Sequence, residues 1–234
     1  MENKNILIVG ASSGVGYAIG GLLGEKGANI YSISRTEPEH PSSLTYQHLN
    51  HDILEDEIPD GFLPETLDGL IYCPGSINLK PFRSLSIDVF RQDYELNVLG
   101  AVKTIKAALK PMKKSTGNPS IVLFSTVAVQ QGMAFHASIA AAKGAIEGLT
   151  RSLAAELAPK IRVNCIAPSL VNTPLANNIL SSDERIEASN NRHPLKRIGQ
   201  PNDIAQAALF LLDKNSSWIT GQVLGVDGGL SRLR

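Results

Sequence analysis

The sequence is poor in aromatic residues and has no excess of charge of either sign. Phe, Trp and Tyr make up 5% of the chain, and 22 basic residues balance 22 acidic ones. Surfaces that bind nucleic acid or an anionic membrane normally carry a basic field, and those for nucleic acid also interleave aromatic side chains. No apolar run approaches the ~20 residues that a membrane-spanning helix needs. We therefore expect neither a nucleic-acid partner nor a membrane partner.

The chain contains only two cysteines. Cys73 and Cys165 each lie in an apolar, strand-like run, which favours buried, reduced thiols over a disulfide or a pair of metal ligands. The sequence runs from Met1 almost directly into the first strand-like run at Asn5, so we expect no secretory leader. These features predict a cytoplasmic protein without a metal site.

Short apolar, β-branched runs alternate with longer segments of helical period along the chain. The strand candidates are 5–10, 29–34, 45–50, 69–74, 120–126, 162–168 and 222–227, and the helix candidates are 14–26, 86–111, 136–158 and 201–213. The strand candidates are apolar on both faces, as in a parallel sheet covered on both sides. The alternation predicts an α/β fold, a doubly wound, three-layer parallel sheet of Rossmann type, in a single domain over residues 1–234.

Two segments lack a clear period. Residues 36–68 are polar and contain four prolines, at 38, 41, 59 and 64, which leaves little room for a regular helix. Residues 172–199 are rich in Asn, Ser and charged side chains. We expect the second segment to be irregular and to form a lid over a site.

A glycine-rich loop, GASSGVG, follows the first predicted strand and opens the first predicted helix. Gly10 would permit a tight turn, Gly14 a close approach of the backbone to a pyrophosphate, and Gly16 close packing of helix against strand. The start of the helix adds unpaired N–H groups and the positive end of its dipole. The context predicts dinucleotide binding, although the glycine spacing differs from G-x-G-x-x-G.

This loop resembles the glycine motif of the short-chain dehydrogenase/reductase family, and further segments match that family in order. They are HDIL at 51–54, YCPG at 72–75 in place of the usual Asn-Asn-Ala-Gly, ELNVLGA at 95–101, RVNCIAPSLVNTP at 162–174 with Ser169 in place of a usual glycine, and residues 197–229. The resemblance implies an oxidoreductase that acts on a carbonyl or alcohol. It also implies a homodimer or homotetramer, built on the small-residue helix at 140–158 and the long helix before it.

The resemblance further implies which residues hold a nicotinamide cofactor. They are Gly10, Ser12, Ser13, Gly14, Val15, Gly16, Ser34, Arg35, Asp52, Ile53, Cys73, Pro74, Gly75, Asn97, Lys143, Pro168, Val171 and Thr173. Enzymes that use NAD normally place an acid at the end of the second strand, whereas a cation there pairs with the 2′-phosphate of NADP. Ser34 and Arg35 occupy that place, so NADP(H) is favoured over NAD(H). The alternative for Arg35 is a solvated surface residue.

The catalytic residues are also implied by the resemblance. Lys143 matches the lysine that holds the nicotinamide ribose, Asn97 the asparagine that supports a water linked to that lysine, and Thr126 the serine that orients the substrate oxygen, with Ser125 beside it. In the family a tyrosine stands four residues before the lysine, on the same helical face. Here that residue is Ile139.

Ile139 has no proton to give, whereas a general acid contributes ~10²–10⁴-fold to the rate. The local candidate for a replacement is His136, three residues earlier. A histidine that faces solvent is the alternative for His136, and a water bound to the substrate is another source of the proton.

Three functions remain open. The first is an NADP(H)-dependent oxidoreductase with an altered proton donor, and the second is a catalytically silent NADP(H)-binding sensor or partner subunit. The third is a non-redox enzyme on the same scaffold, since fold does not decide function. Residues 127–138 and 175–195 would shape the substrate pocket, and the apolar VAVQQGMAF within the first of them suits a small, moderately apolar carbonyl compound.

Overall fold

A parallel sheet forms the centre of the protein. The computed structural model describes residues 1–40, 44–55 and 57–233. Within these residues the strands are β1 Asn5–Val9, β2 Asn29–Ser34, β3 Tyr46–Asn50, β4 Gly69–Tyr72, β5 Ser120–Phe124, β6 Arg162–Pro168 and β7 Val223–Val226. They pair in parallel in the order β3-β2-β1-β4-β5-β6-β7.

Helices connect the strands and cover both faces of the sheet. They are α1 Gly14–Glu25, α2 Ile87–Tyr94, α3 Gly100–Lys114, α4 Ala128–Gln131, α5 Ala137–Leu157, α6 Asp183–Arg192 and α7 Pro201–Leu212. A π-helical turn at Glu95–Leu99 joins α2 to α3, and short 3₁₀ turns occur at Phe82–Ser84, Pro174–Ala176 and Lys214–Ser216.

The alternation of side chains along β1 shows why the fold has three layers. Ile6 and Ile8 pack in one apolar cluster with residues of α1 and α7, and Leu7 and Val9 pack in a second cluster with residues of α3 and α5. All four side chains are at most 2% exposed. A strand buried on both faces needs helices on both sides, so the predicted doubly wound α/β sheet is confirmed.

The prediction for 172–199 was wrong in part, because α6 lies within it. Ser182 caps this helix, its side chain accepting a hydrogen bond from the N–H of Arg185, and Asp183 and Glu184 follow in the first turn. The sequence DERIEASNNR carries a single large apolar residue, so no apolar period marks the helix. The cap and the acidic first turn were the available signal.

Other boundaries differ less. The helix predicted at 86–111 is interrupted by the π-helical turn, which places Asn97 on a widened segment. Strands β4 and β5 end two residues earlier than predicted, so residues 73–75 and 125–126 lie in loops beyond the sheet. In the segment 36–68 the described residues contain β3 and no α-helix. Pro41 and residues 42, 43 and 56 lie outside the described residues.

The two cysteines are free, Cys165 being buried and Cys73 only half-buried. The expectation that both are buried was therefore wrong for Cys73, because it lies just beyond the end of β4. Among the residues described, no group of His, Cys, Asp and Glu is arranged to hold a metal ion. None of the helices described has the length and apolar character to cross a membrane.

The strand order reverses between β1 and β4, which are neighbours in the sheet. In open α/β sheets a crevice forms at such a reversal, beyond the carboxyl ends of the strands. The loop that begins at Gly10 and the loop that begins at Cys73 leave the sheet there.

Candidate active site

The glycine loop brings backbone into a close packing that a side chain would prevent. A Cβ on Gly16 would lie 2.1 Å from the carbonyl oxygen of Gly10, so only glycine fits at this position. Gly14 has a φ of +56°, which L-residues with side chains rarely adopt. Ser13 is the N-cap of α1 and its side chain makes no capping hydrogen bond. The first N–H groups of α1 thus remain available to an anion.

A cleft of about 440 Å³ opens beside this loop. Fourteen of the residues predicted to bind a cofactor line it, namely Gly10, Ser12, Ser13, Gly14, Val15, Gly16, Ser34, Arg35, Asp52, Ile53, Cys73, Pro74, Gly75 and Thr173. The sequence reasoning missed other lining residues, among them His51, Leu54 and Leu96. These three lie in the HDIL and ELNVLGA segments that resemble the family, but the prediction named only Asp52, Ile53 and Asn97 from these segments.

The end of β2 places two polar residues at the cleft in different ways. Ser34 is 8% exposed, and its hydroxyl donates to the carbonyl oxygen of Thr36 at 2.9 Å. Arg35 is exposed, and within the described part of the chain it makes no ion pair. Arg35, rather than Ser34, is therefore the residue free to bind an anionic group here.

A second cavity, of about 310 Å³, adjoins the first. The two share the lining residues Val15, Cys73, Gly75, Thr173 and Leu175. The second cavity is also lined by Thr126, His136, Ile139 and Lys143, and by Pro168 and Val171. A single path therefore runs from the glycine loop to Lys143.

Lys143 is buried, with 8% of its surface exposed. Burial lowers the pKa of Lys143 to about 8, although Cys165, Cys73 and Asp93 act in the opposite direction. Gly75 lies between the Lys143 ammonium and Asn97. A Cβ added at position 75 would be 3.6 Å from Lys143 Nζ and 3.5 Å from Asn97 Oδ1. Gly75 thus leaves free space between these two polar atoms.

Asn97 lies in the π-helical turn and does not line the second cavity itself. Its Nδ2 donates to the carbonyl oxygen of Asp93 at 2.7 Å and to the hydroxyl of Ser76 at 3.2 Å. Its Oδ1 is buried and has no partner among the described residues. A buried acceptor without a donor is uncommon in proteins, and it marks a place for a bound polar group or water.

Asp93 is a buried carboxylate that the sequence reasoning missed. It is 1% exposed, and Oδ1 accepts hydrogen bonds from Ser76 at 2.5 Å and from Asn78 at 2.7 Å. It holds Ser76, to which Asn97 donates, in place. The polar period of α2 resembles that of any exposed helix, so nothing in the sequence set this residue apart.

Two adjacent hydroxyls after β5 have different surroundings. Ser125 is 3% exposed, and its hydroxyl donates to Glu147 Oε1 at 2.9 Å. Thr126 is half-buried and its Oγ1 accepts a hydrogen bond from the N–H of Ala128 at 3.3 Å. The Thr126 hydroxyl proton remains available to the cavity, whereas that of Ser125 is engaged with α5.

Ile139 and His136 lie at the start of α5. Ile139 is 5% exposed. His136 is the N-cap residue, and its Nδ1 lies 2.7 Å from the carbonyl oxygen of Ala134. Because a carbonyl oxygen only accepts, Nδ1 carries the hydrogen in this contact and Nε2 is the free nitrogen. The structure therefore brings His136, Ile139 and Lys143 to one cavity.

The residues present fit a dinucleotide. Uncapped helix amides and a glycine cradle suit a diphosphate, and the space between Lys143 Nζ and the unpartnered Asn97 Oδ1 suits a hydroxyl group or water. The residues that line the first cavity include both Arg35, after β2, and Gly75, after β4.

Comparisons with known proteins agree with this geometry. The family model described as enoyl-(acyl carrier protein) reductase matches residues 10–231. Carbonyl reductase family member 4 of Danio rerio is 35% identical over 243 residues, covering 97% of this chain and 98% of that protein. The ligand-free aldohexose dehydrogenase of Thermoplasma acidophilum is 28% identical with a TM-score of 0.87, covering 98% and 94% of the two chains. ElxO with NADP bound is 26% identical with a TM-score of 0.86, covering 97% and 98%.

These proteins match over nearly their whole lengths, and the first two are named as a reductase and a dehydrogenase. Such relatives do not favour the catalytically silent alternative. The family model and the relative at 35% identity together show that the chain belongs to the short-chain dehydrogenase/reductase family.

Proposed function

We propose that the protein is an NADP(H)-dependent oxidoreductase that interconverts a carbonyl compound and an alcohol with an altered proton donor. The observation that carries this proposal is the continuity of the two cavities, which joins the glycine loop at Gly10 to the buried Lys143. Proteins of this family bind nicotinamide cofactors and act on small molecules. The bound cofactor would supply the hydride that the carbonyl carbon receives.

The first cavity has a binding role in this proposal. The N–H groups at the start of α1 bind the diphosphate, and the Arg35 guanidinium pairs with the 2′-phosphate that distinguishes NADP from NAD. Asp52 and Ile53 border the adenine end of the cavity. The absence of an acid at position 34 removes the group that would repel the phosphate.

The second cavity holds the reacting groups. Lys143 binds the nicotinamide ribose, Thr126 donates to the substrate oxygen, and Asn97 Oδ1 accepts from a water between it and Lys143. Most of the other lining residues are apolar, including Phe124, Val127 and Met133. A ketone or aldehyde of moderate apolar size fits such a lining better than a sugar or an acid.

Ile139 takes the place of the family's tyrosine in this proposal, so the substrate oxygen must receive its proton elsewhere. His136, the N-cap residue of α5, lines the same cavity, and its Nε2 is left free by the contact of Nδ1 with Ala134. We propose further that the protein is cytoplasmic and assembles as a homodimer or homotetramer through α5, as members of this family commonly form oligomers.

Fluorescence titration with NADPH and NADH tests binding, and NADPH oxidation tests activity. The substrates are methyl ketones from butanone to nonanone, together with cyclohexanone and decalone, and the matching alcohols with NADP test the reverse direction. We expect saturable NADPH binding and turnover that increases with the apolar size of the ketone. Failure of both cofactors to bind would contradict the proposal, and so would tight binding without turnover of any substrate in either direction.

A further inference from the structure

Two polar side chains in the second cavity have no role in the function proposed above. Ser169 Oγ lies 2.5 Å from His193 Nε2, and both residues line the cavity that contains Ile139 and Lys143. Ser169 follows β6, at the carboxyl edge of the sheet, and His193 follows α6. The two residues are 24 positions apart in the chain and meet only in the folded protein.

His193 is fixed by the end of α6. It is the C-cap residue and is 2% exposed, and its Nδ1 lies 2.7 Å from the carbonyl oxygen of Ser189. Because that oxygen only accepts, Nδ1 carries a hydrogen, and Nε2 is left to exchange a proton with Ser169. A hydroxyl hydrogen-bonded to an imidazole that a third group orients is the arrangement found at activated hydroxyl groups in enzymes.

A third cavity, of about 260 Å³, lies on the other side of this pair. Ser169 and His193 line both the second and the third cavities, and the charged residues Arg197, Asp203 and Asp227 line only the third. The pair therefore forms part of the wall between an apolar cavity and a charged one. The hydrogen bond between Ser169 and His193 thus links the two cavities.

We propose that Ser169 donates the proton that the substrate oxygen receives, and that His193 replaces it from the third cavity. This inference rests on the oxidoreductase function proposed above and deepens it, since it names the group that acts where Ile139 stands. Ser169 is the catalytic residue, and His193 acts through it.

A bound nicotinamide cofactor would supply a hydride to the carbonyl carbon, and the π electron pair of the carbonyl would move to its oxygen. That oxygen takes the hydroxyl proton of Ser169, while Ser169 Oγ takes the Nε2 proton of the His193 imidazolium. Neutral His193 then regains a proton from water in the third cavity, and alcohol oxidation runs through the same atoms in reverse.

The hydrogen bonds of Ser169 permit this step. When Nε2 is protonated, Oγ accepts from it and from the N–H of Leu170, which lies 2.5 Å away. A hydroxyl oxygen has two lone pairs, so both are then occupied and the hydroxyl hydrogen can point only to another acceptor. A carbonyl oxygen in the second cavity would supply that acceptor.

Negative charge lies near His193, at the end of α6 and on Asp227. The end of α6 carries the negative pole of the helix dipole, which favours a cation at the C-cap. Burial would raise the pKa of Asp227, but hydrogen bonds from Ser231 and Gly229 and the charge of His193 hold it below its ordinary value. His136, by contrast, stands at the start of α5, at the positive end of the helix dipole.

The test compares Ser169→Ala and His193→Gln with Ser169→Thr, which keeps a hydroxyl group. The substrate is whichever ketone of the series above the wild type reduces fastest, with saturating NADPH. We expect the first two variants to lower kcat by about 30-fold or more, with NADPH affinity unchanged, and the threonine variant to retain most of the activity. The solvent deuterium isotope effect on kcat should change in His193→Gln. Adding Ile139→Tyr to Ser169→Ala should restore kcat, because the phenol bypasses the relay.

A second readout needs neither cofactor nor substrate. NMR of the imidazole nitrogens should show a hydrogen on Nδ1 of His193, in wild type and in Ser169→Ala. Protonation at Nε2 instead would overturn the relay, and so would full activity of Ser169→Ala or a loss that Ile139→Tyr does not repair. If His136→Ala loses activity and Ser169→Ala does not, His136 donates the proton. That result would overturn the relay and leave the proposed oxidoreductase function intact. Absence of turnover in the wild type would overturn the proposed function and the relay together.

Discussion

Ile139 and Lys143 lie one turn apart on α5 and line the same cavity. Both are almost fully buried, at 5% and 8% exposed. Residues four positions apart share a helical face, so any side chain at position 139 lies beside the ammonium of Lys143. A tyrosine placed there would have its pKa lowered by that positive charge.

Ile139→Tyr should therefore raise kcat for ketone reduction, by about 10-fold or more, because a general acid contributes ~10²–10⁴-fold and this protein already has some source of the proton. Ile139→Phe is the matched control, since it adds the same ring without the hydroxyl. Steady-state kinetics with NADPH and the fastest ketone check this. A gain of equal size in the phenylalanine variant would contradict the prediction.

Lys143→Met removes a buried charge and keeps the length of the side chain. Burial lowers the pKa of Lys143 from 10.5 to about 8, so the charged form costs about 3 kcal/mol of stability below pH 8. Between pH 8 and 10.5 the unfolded chain binds more protons than the folded protein. The free energy of unfolding of the wild type therefore rises with pH across this window, as the folded protein loses the buried charge.

Denaturant unfolding of wild type and Lys143→Met, at pH 7.5 and at pH 9.5, measures this effect. We expect the variant to be the more stable protein at pH 7.5 by up to about 3 kcal/mol, and the difference to shrink at pH 9.5. The other titratable groups are the same in both proteins, so their contributions cancel when the two free energies of unfolding are subtracted. The variant should also bind NADPH more weakly. A difference in stability that does not change with pH would contradict the conclusion that Lys143 is a buried charge that lowers stability.

Gly16→Ala should destabilise the glycine loop, because the new Cβ would lie 2.1 Å from the carbonyl oxygen of Gly10. We expect a loss of more than about 2 kcal/mol of unfolding free energy, and loss of NADPH binding. Gly21→Ala, on the same helix, is the control, since among the described residues its Cβ would meet only His40 Cε1, at 4.0 Å. That variant should be up to about 1 kcal/mol more stable. Thermal unfolding and NADPH titration distinguish the two variants.

Sequence reasoning found the glycine loop because Gly10, Gly14 and Gly16 act through local geometry and stand between a recognisable strand and helix. The alternation of Ile6 and Ile8 with Leu7 and Val9 likewise specified a strand buried on both faces. Lys143, by contrast, was placed through the resemblance to a family, since nothing in its own neighbours names its role.

What the sequence reasoning missed depends on contacts between distant segments. Ser169 was noticed only as a departure from the family pattern, and His193 was not noticed, because their contact requires α6 to pack beside the end of β6. Asp93 was missed for the same reason, since its burial arises from packing and not from its position on α2. A short polar helix such as α6 has no apolar period to detect.

Arg35→Ala should weaken NADPH binding and leave NADH binding unchanged. A charge-assisted hydrogen bond to phosphate is worth about 1.5–3 kcal/mol, which corresponds to roughly 10- to 100-fold in affinity. The loss should diminish at high salt, because Arg35 is exposed and its charge is screened. Titration of wild type and variant with both cofactors, at low and high salt, checks this. Equal loss for the two cofactors would contradict a role at the 2′-phosphate.

Thr126→Val and Ser125→Ala should separate a catalytic hydroxyl from a structural one. Valine has the shape of threonine without the hydroxyl, so Thr126→Val should lower kcat by about 10- to 100-fold through the lost hydrogen bond to the substrate oxygen. Its stability should change little, since Oγ1 makes only a 3.3 Å contact with the N–H of Ala128.

Ser125→Ala leaves the buried Glu147 without its 2.9 Å donor. An unsatisfied buried acceptor costs about 1–3 kcal/mol, so this variant should unfold at lower denaturant while kcat/KM stays near the wild-type value. Kinetics and denaturant unfolding of both variants provide the measurement. The opposite result would be a loss of activity at unchanged stability in Ser125→Ala, with Thr126→Val still active. In that case Ser125 orients the substrate oxygen, and Glu147 takes part in proton transfer instead of stabilising α5.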